Sequence, residues 1–305
     1  MSIAFMFSGQ GSQYLGMGKE LYDNFSCVRE VFNEANSILE YKLEDILFNN
    51  QEKLNDTKYT QVAMFVFYQS ILKVLEEKRV TSNISFGLSL GEYGAYLHNE
   101  VYNFETGLKL VQKRGQLMSE AAKSNPGKMC AIIGIETSKL EELISKSKGY
   151  VKISNYNTYG QLVISGESSA ILKLGELAKE NGARRVIYLN TSGAFHTDLM
   201  KDASIELNQY LKNISLSEPT KQLLINGTGD YYKNDIKQVI TDQITSSVMF
   251  YQIVEKLILQ GVDTFIEIGP KTTLCGFVKK IDRRLKILNV ENLKSLETTL
   301  LKLEE

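Results

Sequence analysis

The 305-residue chain has no tryptophan, two histidines, three prolines and three cysteines. Each scarcity excludes something. Cys27, Cys130 and Cys275 are odd in number, far apart and set among apolar neighbours. They suit reduced, packed residues and not a disulfide framework. With two distant histidines and no Cys-x-x-Cys, a zinc site is not expected, and nothing calls for another metal or a redox cofactor. Basic residues are not in excess: the net charge is −1, which leaves nothing to neutralise nucleic-acid phosphates. No apolar run approaches membrane-spanning length. The opening Met1–Phe7 carries no basic residue and runs straight into Gly9, so it reads as a first strand and not a signal peptide. The expectation is a soluble, cytoplasmic protein with neither nucleic acid nor membrane as partner. Its 43% hydrophobic content can fill one large core or two smaller ones.

What is present centres on Ser85-Phe86-Gly87-Leu88-Ser89-Leu90-Gly91-Glu92-Tyr93. Gly87-x-Ser89-x-Gly91 is the spacing of a nucleophile elbow. A serine on a tight strand-to-helix turn crowds the backbone two residues to either side, so glycines flank it. Asn83–Phe86 reads as the strand and Glu92 onward as the helix. The pattern alone is common enough that its weight depends on what else the chain offers a serine.

A serine hydroxyl needs a general base, usually histidine. His98 falls at the end of the helix after the elbow and would have to fold back over two turns to reach Ser89; it reads as a helix-end residue. His196 lies in Thr191-Ser192-Gly193-Ala194-Phe195-His196-Thr197, directly after the apolar run Val186–Leu189. A strand ending in small residues and then a histidine is a common way to set a catalytic group at a sheet edge. His196 is therefore the base.

Strands and helices alternate along the chain. Ile3–Phe7 is a strand, a helical stretch runs to about Ala35, Gln61–Lys78 is a long helix, and Phe104–Ala122 is an amphipathic one. This predicts an α/β fold with a mainly parallel sheet. The middle changes rhythm. Strands are predicted at Lys128–Ile135, Tyr150–Ile153, Gln161–Ser165 and Arg184–Leu189, and helices at Ser138–Ser147 and Ser168–Asn181. The order βαββαβ is that of the ferredoxin-like split unit. A ferredoxin-like small domain (residues 124–192) is thus expected inside a larger one (residues 1–123 and 193–305), with the active site in the cleft between them. Met200–Leu211 reads as a helix, and Leu223–Asn226 and Thr264–Ile268 as further strands of the large sheet.

Arg114 sits on the apolar stripe of the helix Phe104–Ala122, with Leu108, Val111, Gly115 and Met118. An inward guanidinium needs an anion. Either an internal Asp or Glu pairs with it, or it clamps an acidic substrate. Gly9-Gln10-Gly11-Ser12, after the first strand, lacks the lysine and the full spacing of a phosphate loop. It can also present a backbone N–H to an oxyanion. The pattern alone leaves both open.

Phe7-Ser8-Gly9-Gln10-Gly11-Ser12-Gln13, Gly87–Tyr93, Lys113-Arg114-Gly115, Asn155-Tyr156-Asn157, Ser192–His196 and Glu267-Ile268-Gly269-Pro270 stand in the order and spacing of the malonyl-CoA:acyl carrier protein transacylases. The chain resembles that family over nearly its whole length. The resemblance implies an α/β-hydrolase-like large domain with the ferredoxin-like insert, Ser89 as nucleophile and His196 as base. It further implies an oxyanion hole from the backbone amides of Gln10 and Leu90, Arg114 holding the malonyl carboxylate, and Asn155 at the substrate. Gln243 matches the glutamine whose main-chain carbonyl orients the histidine. Malonyl-CoA and an acyl carrier protein bearing phosphopantetheine would be the partners, and no cofactor of the enzyme's own is implied. Two departures stand out: Leu88 replaces the histidine most members carry before the serine, and Ser8 replaces a proline. Ala194-Phe195-His196 resembles the form found in malonyl-selective members.

A discrete acyltransferase of a polyketide or polyunsaturated fatty-acid synthase fits the same residues. A carboxylesterase of the hydrolase type fits less well. Its order is Ser…Asp/Glu…His with the histidine near the C-terminus, and a neutral ester has no use for Arg114. A non-catalytic interaction subunit would have no reason to keep both Ser89 and His196.

Overall fold

The computed structural model describes residues 2–305. Its strands are β1 (Ile3–Phe7), β2 (Ile84–Gly87), β3 (Gly127–Ile133), β4 (Val151–Thr158), β5 (Gln161–Glu167), β6 (Arg185–Tyr188), β7 (Gln222–Ile225), β8 (Asp230–Tyr231), β9 (Thr264–Ile268) and β10 (Lys286–Val290). Six of them form a sheet in the order β10-β9-β1-β2-β7-β8, parallel except where β8 runs against β7. The other four form an antiparallel sheet, β4-β5-β3-β6. The fold is mixed α/β with a mainly parallel sheet, as the alternation predicts.

The sequence of β1, Ile-Ala-Phe-Met-Phe, explains its central place. A strand covered by helices on both faces must be apolar at every position. Phe5 and Phe7 enter the core on one side of the sheet, with Tyr68 and Tyr96, while Ala4 and Met6 enter the core on the other, with Phe250 and Phe265. A third core lies wholly within residues 130–178, under the antiparallel sheet. There β3 alternates. Cys130 and Ile132 point into that third core, while Met129 and Ala131 face the main body across a cleft.

The structure departs from the sequence reading in several places. The stretch predicted as helical to Ala35 is two helices, Lys19–Asn24 and Ser26–Ile38, broken where Phe25 turns extended (φ −120°, ψ 126°). The helix predicted from Gln61 begins at Thr57, where the Asp56 side chain accepts the Lys58 N–H and caps it. Strand β4 runs five residues beyond the predicted Ile153, carrying Asn155 and Asn157 in it. Strand β10 and the helices Ile236–Gln243, Phe250–Leu259, Thr273–Ile281 and Leu293–Glu304 went unread. Phe250, Ile253, Val254 and Leu257 are buried at helical spacing, so that signal was present. Strand β10 is half-exposed at an edge and carries little pattern. Of the free cysteines only Cys130 is buried; Cys27 and Cys275 are half-buried.

Candidate active site

Strands β1 and β2 pair from Ala4↔Ile84 to Phe7↔Gly87, so the loop after β1 and the elbow after β2 leave the sheet side by side at its C-terminal edge. That edge is where parallel α/β sheets form ligand crevices. The elbow glycines are required by contact. A Cβ on Gly87 would lie 2.0 Å from the Gly91 carbonyl carbon, and one on Gly91 would lie 2.0 Å from the Phe7 oxygen. With strand, turn and helix pressed this close, Ser89 takes the left-handed backbone (φ 53°) itself, at a cost of about 1–3 kcal/mol.

His196 also sits in the left-handed region, at φ 61°, and is 2% exposed. Its Nε2 lies 2.6 Å from Ser89 Oγ. On the far side of the ring, Nδ1 lies 3.0 Å from both the Gln243 and the Ser246 carbonyl oxygens. Two carbonyls accept but cannot donate, so the ring proton belongs on Nδ1, and Nε2 is free to take the serine proton. No carboxylate is involved. Burial, and after it the positive Arg114, lowers the imidazole pKa to about 4, while the two carbonyls pull it upward. His98, by contrast, ends the helix Gly91–His98 and packs on the Phe5 ring, 5.1 Å between centroids. Burial, with a smaller contribution from Lys221, lowers its pKa to about 4 as well.

Arg114 is 1% exposed yet lines the cleft. Its guanidinium donates to Gln61 Oε1 at 2.8 Å and to Gln243 Oε1 at 2.9 Å, and stacks 4.9 Å from the Tyr93 ring centroid. The internal ion pair weighed from sequence is not formed: both acceptors are neutral amides. The buried carboxylate of Glu92 is taken up by the Asn226 N–H and the Tyr96 hydroxyl. Burial pushes Glu92 up to about 7, against those two bonds and the charge of Arg114. Nε of Arg114 has no partner. A buried cation held by neutral groups, with donors to spare, is electrostatically unfinished.

Gln243, which the resemblance implies at the histidine, is 2% exposed. Its carbonyl meets His196, its Oε1 accepts from Arg114, and its Nε2 donates to the Ser89 carbonyl at 2.8 Å. One residue thus ties base, cation and elbow together. The loop of Gln10 is anchored by Gln10 Nε2 donating to Thr57 Oγ1 at 3.1 Å. Among the described residues the backbone N–H groups of Gln10 and Leu90 donate to no protein acceptor. Asn155 lines the cleft from β4 and bridges to Val248, in the segment after Ser246. The cleft, about 810 Å³, runs between the two sheets and is lined by Ser89, His196, Arg114, Gln10 and Asn155 together. Leu88 packs against the core that holds Ala4 and Met6 and also lines this cleft beside Gly9.

Gln61, Glu92, Asn226 and Ser246 were missed from sequence. Gln61 carried a legible signal, since it stands four before Phe65 and seven before Tyr68 on a fully buried stripe. Ser246 acts through its carbonyl, which no side chain announces. No group of three or more His, Cys, Asp or Glu suited to hold a metal occurs among the described residues, and no helix among them is long and apolar enough to cross a membrane.

A strand-turn-helix serine against a buried histidine defines the acyl-transfer class of enzyme, and the chain matches the acyl transferase domain family over residues 4–296. It is 38% identical over 309 residues to the malonyl CoA-acyl carrier protein transacylase of Bacillus subtilis, covering 99% of this chain and 98% of the relative. The crystal structure of the malonyl CoA-acyl carrier protein transacylase from Clostridium perfringens superposes with a TM-score of 0.96 at 44% identity, covering 100% of this chain and 98% of that one. A malonyl-transacylase solved in complex with its type II polyketide synthase acyl-carrier protein also superposes at 0.96, with 33% identity and coverage of 99% and 100%. The chain belongs to the malonyl-CoA:acyl carrier protein transacylase family and is an acyltransferase.

Proposed function

We propose that this enzyme moves the malonyl group from malonyl-CoA to the phosphopantetheine thiol of an acyl carrier protein through a malonyl ester on Ser89. Ser89 Oγ gives its proton to His196 Nε2 and attacks the thioester carbon. The tetrahedral oxyanion forms between the Gln10 and Leu90 amides. Collapse breaks the C–S bond, and the CoA sulfur leaves with the proton from His196. The carrier thiol then repeats the sequence in reverse, its proton passing to His196 and on to the Ser89 oxygen as that leaves. Arg114 receives the malonyl carboxylate, and Gln61 and Gln243 aim its guanidinium. In this reading residues 1–123 and 193–305 form an α/β-hydrolase-like domain and residues 124–192 a ferredoxin-like insert, in keeping with the observed strand order β4-β5-β3-β6.

The observation that carries the reading is the 2.6 Å Ser89–His196 contact in one cleft with a buried arginine bonded only to neutral amides. It is tested by incubating the protein with malonyl-CoA and a phosphopantetheine-loaded carrier. Malonyl-carrier should form, with far faster turnover than hydrolysis of neutral esters; fast ester hydrolysis without transfer would favour the carboxylesterase. Malonyl-carrier made in this way would supply fatty acid synthesis. The relative bound to a polyketide carrier favours assaying carriers of that type too.

The base's lowered pKa sets the pH dependence. A histidine is a competent base only above its pKa, so kcat/KM, which reports the free enzyme, should stay flat down through pH 6 and fall only toward pH 4. The carboxylate of a bound malonyl group offsets the Arg114 charge that helps hold His196 down. The acid limb of kcat should therefore lie at higher pH than that of kcat/KM. Stopped-flow acylation rates across pH check both, and a kcat/KM limb near 6.5 would contradict the electrostatics.

Leu88→His, restoring the residue most members carry, should change transfer to the carrier by less than about tenfold, roughly 1.4 kcal/mol. Leu88 is apolar, lies beside Gly9 and carries no proton in either half-reaction. A several-hundredfold gain would mean that the present chain lacks a group the chemistry needs.

A further inference from the structure

The strained elbow has a partner outside the catalytic pair. Strands β2 and β7 pair only at Ile84↔Gln222 and Ser85↔Leu223, after which β7 leads into the turn toward β8. Past that point the side chain of Asn226 takes over from the backbone ladder. Its Oδ1 accepts the Ser89 N–H at 2.7 Å and its Nδ2 donates to the Gly87 carbonyl at 2.6 Å. One amide thus spans the backbone groups on both sides of Leu88. Flipping it would set oxygen against oxygen and N–H against N–H, so its orientation is unique. Asn226 is itself held: it is 1% exposed, its N–H donates to Glu92 Oε2 at 2.6 Å, and its carbonyl accepts the Met249 N–H at 2.9 Å.

We propose that Asn226 is a positioning residue for acyl transfer. Its amide pins the left-handed Ser89 backbone so that Oγ stays against His196 Nε2 and the Leu90 N–H stays turned to the cleft. The proposal rests on Ser89 being the residue that carries the acyl group. Without the pin, Ser89 loses the acceptor of its N–H, and its backbone relaxes from φ 53° toward the extended region. That swings Oγ and the following amide together. A displacement of about 1 Å at a reacting group costs on the order of a hundredfold in rate, as does loss of one oxyanion donor. Arg114 makes no contact with this amide and is held by Gln61 as well as by Gln243, so the loss falls mainly on the chemical step and not on substrate capture.

The test compares Asn226→Ala with the wild-type enzyme in kcat and KM for malonyl-CoA, in the rate at which a fluorophosphonate labels Ser89, and in thermal midpoint. The expected result is a fall in kcat of about a hundredfold, KM within about threefold, and labelling slowed in parallel. Asn226→Ser carries a hydroxyl too short to span both groups, should show the same split, and serves if the alanine variant does not fold. An unchanged kcat in a folded variant overturns the proposal. So does a loss of activity in both variants that only follows the fraction folded. Fluorophosphonate labelling needs no malonyl group, so the pin is still read out if wild type fails to take malonyl from CoA, a result that would count against the functional reading alone.

Discussion

Ser89→Ala is expected to take no malonyl adduct from malonyl-CoA and to lose at least about 10⁴-fold in transfer to the carrier. The reason is the absence of a substitute. The cysteine thiols do not line the cleft, and burial pushes those of Cys27 and Cys130 up to about 11 and that of Cys275 higher still. His196→Ala should retain the serine but lose its base, at a cost of at least about 10². Because the two act as a unit, the double variant should be scarcely worse than Ser89→Ala alone. Mass spectrometry of the intact protein and of the peptide containing Ser89 reads the outcome. A malonyl mass persisting in Ser89→Ala, or found on a cysteine, would remove Ser89 from the nucleophile's role.

Arg114→Ala is expected to change which acyl group is preferred more than it lowers reactivity. Gln61 and Gln243 orient the guanidinium without neutralising it, so its charge is available to a substrate carboxylate in a buried setting. Losing a desolvated pair of that kind costs about 3–5 kcal/mol, whereas an acetyl group has nothing to lose. The malonyl-to-acetyl ratio of kcat/KM should fall on the order of a hundredfold or more. Competition assays with the two thioesters measure it. Equal losses for both acyl groups would make Arg114 a structural residue, held by its stack on Tyr93, and would take the clamp out of the mechanism.

Much of the site was written in local pattern. Gly87-x-Ser89-x-Gly91 encodes a turn that closes Gly87 onto Gly91, a constraint between residues four apart, while Gly91 is also required by the approach of Phe7 from β1. Arg114 declared itself by falling on an apolar helical stripe, because helical periodicity converts position into direction. The strand-helix alternation and the βαββαβ run likewise depend on periods within each segment, and they predicted the mainly parallel sheet and where the second sheet begins and ends.

Tertiary structure decided the partners. His196 stands 107 positions from Ser89, and the two carbonyls that set its tautomer come from Gln243 and Ser246. Backbone groups carry no residue signature, so local pattern marks neither; Gln243 was named through the family resemblance and Ser246 was not. Gln61, Gln243 and Asn226 are ordinary amides in sequence. Each becomes significant only once burial removes water and leaves a guanidinium, a carbonyl or a strained N–H as its sole company. The sequence by itself determined the candidate groups and the turns that present them, because those depend on neighbours along the chain. Their orientation and charge state depended on contacts across more than 40 residues, which only the packed fold brings within hydrogen-bond distance.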